Sequence, residues 1–243
     1  MTQEKLKFII LRTLGNFFVL FAAFGIAMTF GPVIYLEALY YFNAARNIRY
    51  VTKSSQLEKK DGQPVFEIEP ADLSPTPKFT LFGQLTGGNK TEILSPVSSR
   101  FGLIIPKIGA NVEIFPNVDA ANPQIYLPVL QKGVAHAAGT VFPGVSGNIY
   151  LFAHSTDAFW NVGRYNAVFY LLNKLEKGDE IDIFSNGVRH IYKVTEKKIV
   201  NPSEVEYLTK PLPYEQLTLQ TCWPPGTTLK RLIVIAKPER DLP

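Results

Sequence analysis

Cys222 is the only cysteine in 243 residues, and it ends the stretch Leu217-Thr218-Leu219-Gln220-Thr221-Cys222. Trp223-Pro224-Pro225 follows, and Lys230-Arg231-Leu232-Ile233-Val234 opens the next apolar run. In an extended strand Leu217, Leu219 and Thr221 share one face, while Thr218, Gln220 and Cys222 share the other. The thiol is therefore expected opposite the leucines, at the mouth of a strand, with an arginine leading the neighbouring strand. A thiol attacks as its thiolate, which needs an adjacent base or positive charge. A guanidinium held nearby can steady an oxyanion or a substrate carbonyl.

Three histidines are available as the base, His136, His154 and His190. His154 ends an apolar run and is followed by Ser155-Thr156-Asp157, which puts it at a rim. His136 lies in a glycine- and alanine-rich region read as a turn, and His190 begins an exposed-looking hairpin strand. Placement ranks His154 first, His136 second and His190 last. Taken alone, a lone cysteine is more often a small buried hydrophobe, and an isolated arginine an edge-strand cation. The rest of the chain decides between these readings.

Thr13 to Leu36 is 24 residues without a charge. As a helix it would be about 36 Å long, enough to cross a hydrocarbon core of about 30 Å. The run exceeds a signal-peptide core, so an uncleaved signal-anchor is expected. Lys5, Lys7 and Arg12 before it favour a cytoplasmic N-terminus, although Arg46, Arg49 and Lys53 beyond it compete. The chain after the span then lies outside the cytoplasmic membrane. There an unpaired thiol is an oxidation liability, and its retention points to a reactive role.

Composition excludes several other classes. Lys+Arg of 25 against Asp+Glu of 21 leaves a net charge of +4 with no basic run, too little to argue for nucleic acid. One cysteine excludes an intramolecular disulfide and a Cys-rich zinc site, and the histidines lack metal-ligand spacing. No metal or other cofactor is expected.

Residues 37–99 read as a juxtamembrane segment and flexible stalk, broken by Pro64, Pro70, Pro75, Pro77 and Pro96. From Arg100 the pattern becomes that of a mostly β barrel or sandwich. Strands are expected over Phe101–Ile108, Val112–Phe115, Asn148–His154, Glu180–Phe184, His190–Val200, Gln216–Cys222 and Lys230–Lys237. Asn186-Gly187 marks a hairpin. Asn122–Gln131 reads as a helix or turn, and Tyr165, Val168, Phe169, Leu172 and Leu175 recur at the spacing of a short amphipathic helix. The long connection 201–216 joins the last hairpin to the cysteine strand.

On these residues the chain resembles the sortases, membrane-anchored cysteine transpeptidases of bacterial cell surfaces. Four pieces carry the resemblance across about 100–238: Ile104-Ile105-Pro106-Lys107-Ile108; Gly133-Val134-Ala135-His136 through Gly147-Asn148 to Ala153-His154; Leu172 through Lys177-Gly178-Asp179 with its hairpin; and Thr218-Leu219-Gln220-Thr221-Cys222 followed by Arg231-Leu232-Ile233-Val234. The resemblance implies a closed eight-stranded sortase-type β-barrel with one or two short helices, preceded by the transmembrane helix. It divides the chain into a cytoplasmic 1–12, a span 13–36, a stalk 37–99 and a catalytic domain 100–243. It assigns His154, Cys222 and Arg231 as the catalytic set and Thr221 to substrate binding, and Trp223, next after the thiol, is expected to shape the substrate pocket as well.

It further implies cleavage of a Leu-Pro-x-Thr-Gly-like sorting signal of a secreted protein through a thioester. Transfer to an amine of a peptidoglycan precursor or of a pilin follows. Ala153 stands where many members have glycine, and Trp223-Pro224-Pro225 is bulkier than usual after the cysteine. The alternatives are a thiol hydrolase of the same fold that releases surface proteins, and a non-catalytic tethered barrel that binds them.

Overall fold

Alternating apolar residues in the strands after residue 100 leave each strand with one face to bury, and closure into a barrel buries them all together. The computed structural model of the chain describes residues 3–53, 58–60, 63–65, 88, 90–155 and 167–241. Among these, eight strands close into one barrel: β5 (Phe101–Ile105), β6 (Ala110–Val118), β7 (Val134–Ala137), β8 (Gly147–Phe152), β9 (Glu180–Ser185), β10 (Val188–Val200), β11 (Glu215–Trp223) and β12 (Lys230–Pro238). Their order around the barrel is β10-β12-β11-β8-β7-β6-β5-β9. The mainly β fold with a closed eight-stranded barrel is thus as expected.

The inner face is filled by Leu103, Ile105, Ile149, Leu151, Ile181, Ile183, Leu217, Leu219, Leu232 and Val234, all buried in one cluster. Each contributes about 1.5–3 kcal/mol relative to exposure. The i, i+2 spacing of every pair on this list shows why the inner face was legible from alternation. The turn between β9 and β10 has Asn186 at φ 51° and Gly187 at φ 83°, the two left-handed residues of a type I′ hairpin.

A second apolar cluster lies on the outside. Ala135, Ala137, Tyr150 and Phe152 of β7 and β8 pack with Leu130 of α2 (Pro123–Leu130) and with Tyr207 and Leu208 of α3 (Glu206–Thr209). Asn122 caps α2 by accepting from the Gln124 N–H at 3.0 Å. Strands β7 and β8 are therefore covered on both faces, and all of their residues are buried.

Two local expectations are corrected. His136 is not in a turn but in β7, fully buried, with Nε2 3.0 Å from the Val141 carbonyl oxygen and its ring against Phe142 and Phe101. The small residues on either side of it allow the strand to be covered by α2, which a local reading takes for turn propensity. The expected amphipathic helix is a 3-10 turn over Tyr170–Lys174, and residues 156–166 lie outside the described residues. Phe169, Leu172 and Leu175 are all fully buried, and their spacing of three is the period of a 3-10 turn.

Ahead of the barrel runs α1 (Gln3–Ala45), 43 residues and about 65 Å long. It contains a candidate membrane span over Gln3–Met28, none of it buried by the protein. Its C-terminal end is seated on the barrel. Lys174 pairs with Glu37 at 3.0 Å and donates to the Tyr41 hydroxyl at 3.0 Å, and the Tyr170 hydroxyl donates to Glu37 at 3.2 Å.

Both ends of the expected stalk are ordered against the same surface. Strand β1 (Arg49–Thr52) pairs in parallel with β4 (Thr91–Leu94), and the Thr52 hydroxyl donates to Asp182 of β9. Between them β2 (Glu58–Lys60) and β3 (Gln63–Val65) form a two-stranded antiparallel pair. Much of the stalk, including 66–87, lies outside the described residues.

Candidate active site

The parallel pairing of β8 with β11 brings two strand ends together at one rim of the barrel. Its register sets Thr218 beside Tyr150 and Gln220 beside Phe152. The Ala153 N–H donates to the Gln220 carbonyl at 3.2 Å, which extends the pairing to the residue before His154. The Phe169 N–H donates to the His154 carbonyl at 3.3 Å, so the backbone around the histidine is held from both sides. In the antiparallel pairing of β11 with β12, Cys222 stands directly opposite Arg231.

Cys222, His154 and Arg231 line a single groove of about 510 Å³. Cys222 is partly exposed and points to the outer face with Gln220, opposite the core leucines, as strand alternation predicts. The groove floor is Tyr150, Phe152, Gln220 and Cys222. One wall is Tyr126, Leu127 and Leu130 of α2, and the other is Pro202, Glu204, Val205 and Leu208 of the 201–214 connection.

That second wall is tied down by polar contacts. The Asn148 side-chain amide donates to the Tyr207 carbonyl at 2.7 Å and accepts at Oδ1 from the Thr218 hydroxyl at 2.7 Å. Nearer the cysteine, Lys230 donates to Asn201 Oδ1 at 2.6 Å, and Asn201 Nδ2 donates to Glu204 at 2.8 Å. The β11–β12 hairpin and the connection are thereby latched together beside the thiol.

Arg231 donates to the carbonyl oxygens of Thr228 and Lys230, both at 3.0 Å, so its guanidinium is turned toward its own hairpin loop. Its charge still reaches the groove floor. Burial pushes the Tyr150 phenol well above its ordinary value, and the Arg231 charge opposes that push.

Thr221 has the opposite orientation to Cys222. It also lines the groove but is nearly fully buried, and its hydroxyl donates to the Ala153 carbonyl at 3.0 Å. It therefore fixes the strand end that carries His154. Trp223 shares the parity of the leucines and packs against the core cluster, and it is absent from the groove lining. The alternation that sets Cys222 outward sets Trp223 inward, so the signal for its placement was in the sequence.

The other histidines are elsewhere. His136 is enclosed, and its burial lowers its proton affinity. His190 is half-buried; its ring is the nearest group to the Gly144 Cβ direction, and Glu215 and Arg240 act on its charge. Glu215 begins β11, seven residues from Cys222, which is roughly 23 Å along a strand. Among the described residues, no group of three or more His, Cys, Asp or Glu could hold a metal ion.

Residues that the sequence did not single out as part of the site are Tyr150, Tyr126, Leu127, Asn201 and Glu204. Gln220 was readable as a member of the Cys222 face, but its neighbour Tyr150 comes from a strand 70 residues away.

Residues 103–239 match the sequence model of a family described as the Sortase domain. Sortase D of Bacillus subtilis (strain 168) is 29% identical over 153 residues, 61% of this chain and 69% of the relative. Similar solved structures include a lid mutant of sortase A from Corynebacterium diphtheriae, 29% identical with a TM-score of 0.49, covering 60% of this chain and 72% of that one. Another is sortase C-1 from Actinomyces oris, 28% identical with a TM-score of 0.49, covering 60% of this chain and 76% of that one.

Proposed function

Because the chain belongs to the sortase family of transpeptidases, we propose that Cys222, His154 and Arg231 form its catalytic set and act on a sorting signal of a secreted protein. The observation that carries this reading is that the three residues line one groove, with Cys222 and Arg231 on directly paired positions.

In the reaction, the Cys222 thiol passes its proton to the His154 imidazole and Sγ bonds to the carbonyl carbon of the scissile peptide. Arg231 leaves the hairpin carbonyls to steady the developing oxyanion or the substrate backbone. The C–N bond then breaks as His154 returns the proton to the leaving amine. An acceptor amine attacks the thioester, His154 takes its proton, the C–S bond breaks and the thiolate is released. Thr221 acts from behind, by holding the His154 strand end. The substrate is a Leu-Pro-x-Thr-Gly-like signal, and the acceptor is an amine of a peptidoglycan precursor or a pilin.

The same reading assigns 1–12 to the cytoplasm, 13–36 to the span, 37–99 to the juxtamembrane stalk and 100–243 to the catalytic domain outside. The exposed apolar helix α1 supports the anchoring.

The test is covalent capture from a library of sorting-signal peptides on the full-length chain in detergent micelles, read by intact mass. A thioester adduct on the wild type and none on Cys222→Ala is expected. Added amine should raise joined product at the expense of hydrolysed product; hydrolysis indifferent to amine would favour a releasing hydrolase. Absence of any Cys222 adduct would overturn the proposal.

A further inference from the structure

We propose that the Gln220 side-chain amide is a substrate-positioning donor, taking the backbone carbonyl two residues upstream of the one that supplies the scissile carbonyl. This rests on the reading of Cys222 as the nucleophile.

The Tyr150 hydroxyl donates to Gln220 Oε1. Tyr150 is buried under the outer cluster, so its hydroxyl is fixed by packing, and it fixes the amide in turn. With Oε1 occupied, Nε2 is left with two N–H donors and no hydrogen-bond partner among the described residues. Gln220 is partly exposed, and both residues line the groove. The floor beside the nucleophile thus offers two free N–H donors at this point. A group with free acceptor capacity fits it, and every peptide residue carries one in its carbonyl.

Distance selects which carbonyl. Cys222 and Gln220 lie on the same face of β11, two residues and about 6.7 Å apart. An extended peptide advances by the same amount in two residues. With its scissile carbonyl at Cys222, its chain laid along the floor brings the carbonyl two residues upstream over Gln220. The wall of Tyr126, Leu127 and Leu130 is apolar except for one phenol and carries no side-chain amide. A proline at that substrate position is compatible, because the contact uses its carbonyl and asks for no N–H.

The experiment uses the fastest-acylating peptide from the library above, made with either an oxygen or a sulfur at that carbonyl, sulfur being the weaker acceptor. Acylation is followed by intact mass on wild type, Gln220→Leu and Gln220→Glu. The wild type should lose about fivefold in kcat/KM on the sulfur substitution, the worth of one hydrogen bond. Both variants should respond by less than about twofold, since neither offers the donor. Gln220→Glu retains the acceptor for Tyr150 and so reports whether the support or the donor matters. Equal sensitivity of all three proteins overturns the inference while leaving the nucleophile assignment standing. A wild type that forms no adduct with any peptide overturns both.

Discussion

The Thr221 hydroxyl donates to the carbonyl oxygen of Ala153 at 3.0 Å, linking the residue before the thiol to the residue before the histidine. Cys222 and His154 come from strands distant in sequence, and this bond crosses between them at the rim. Replacing Thr221 by Val keeps the shape and leaves the buried Ala153 carbonyl without its hydroxyl. A stability loss of about 1–3 kcal/mol is expected from urea unfolding. Acylation of Cys222 should slow by about tenfold or more, as misplaced catalytic groups do. Thr221→Ser should restore both. Unchanged acylation with lowered stability would assign Thr221 to packing alone.

Arg231 makes two bonds to hairpin carbonyls with its Nη1, and its charge reaches Tyr150. Arg231→Lys keeps the charge but loses the planar fork. Acylation should fall by about 100-fold, the scale of one oxyanion donor, with the melting temperature little changed because the side chain is only half-buried and Lys keeps its charge. Stopped-flow acylation and thermal unfolding on the same samples separate the two effects.

Lys230, Asn201 and Glu204 latch the groove wall to the cysteine hairpin. These are exposed contacts, so Asn201→Ala should cost under about 1 kcal/mol of stability. Its effect should appear on substrate binding. KM for the peptide should rise several-fold, by about 1 kcal/mol of lost preorganisation, with kcat nearly unchanged. A pure kcat effect would contradict the assignment of this wall to binding.

Asp182 is fully buried beneath strand β1, bonded to Thr52 and paired with Arg189 at 3.0 Å. Burial raises its proton affinity above the ordinary carboxyl value of 3.8, against Arg189 and Thr52, with Glu180 adding to the upward push. The folded value exceeds the unfolded one. The contribution of the protonated form is therefore complete below the unfolded value and is lost as pH rises through the folded one. Asp182→Asn removes this titration. Urea unfolding from pH 4 to pH 8 should show the wild type losing stability relative to Asp182→Asn as pH rises. A parallel pair of curves would refute it.

Several features were legible in the sequence because they depend on neighbours along the chain. Alternation in β11 placed Cys222 opposite Leu217 and Leu219, and the same parity accounts for Trp223 packing against the core. Asn186-Gly187 specified its hairpin, since both residues tolerate positive φ. A charge-free run specified a helix long enough to span a membrane. The resemblance carried the rest of the way to the barrel, and it named His154, Cys222 and Arg231, which line one groove.

What the tertiary structure decided are pairings between residues distant in sequence. His136 was misread as a turn residue because its burial depends on β6 and β8 flanking β7 and on Phe101 and Phe142 packing against its ring. Thr221 became a brace for the His154 strand, and Gln220 gained a fixed amide from Tyr150, only through the parallel register of β8 with β11. The docking of Glu37 on Lys174 and of Thr52 on Asp182 likewise joins the N-terminal segment to the barrel across 130 residues or more. Periodicity along a strand tells which face a side chain takes. Only closure of the barrel determines what it meets there, because hydrogen bonds between strands are set by register in space and not by separation in sequence.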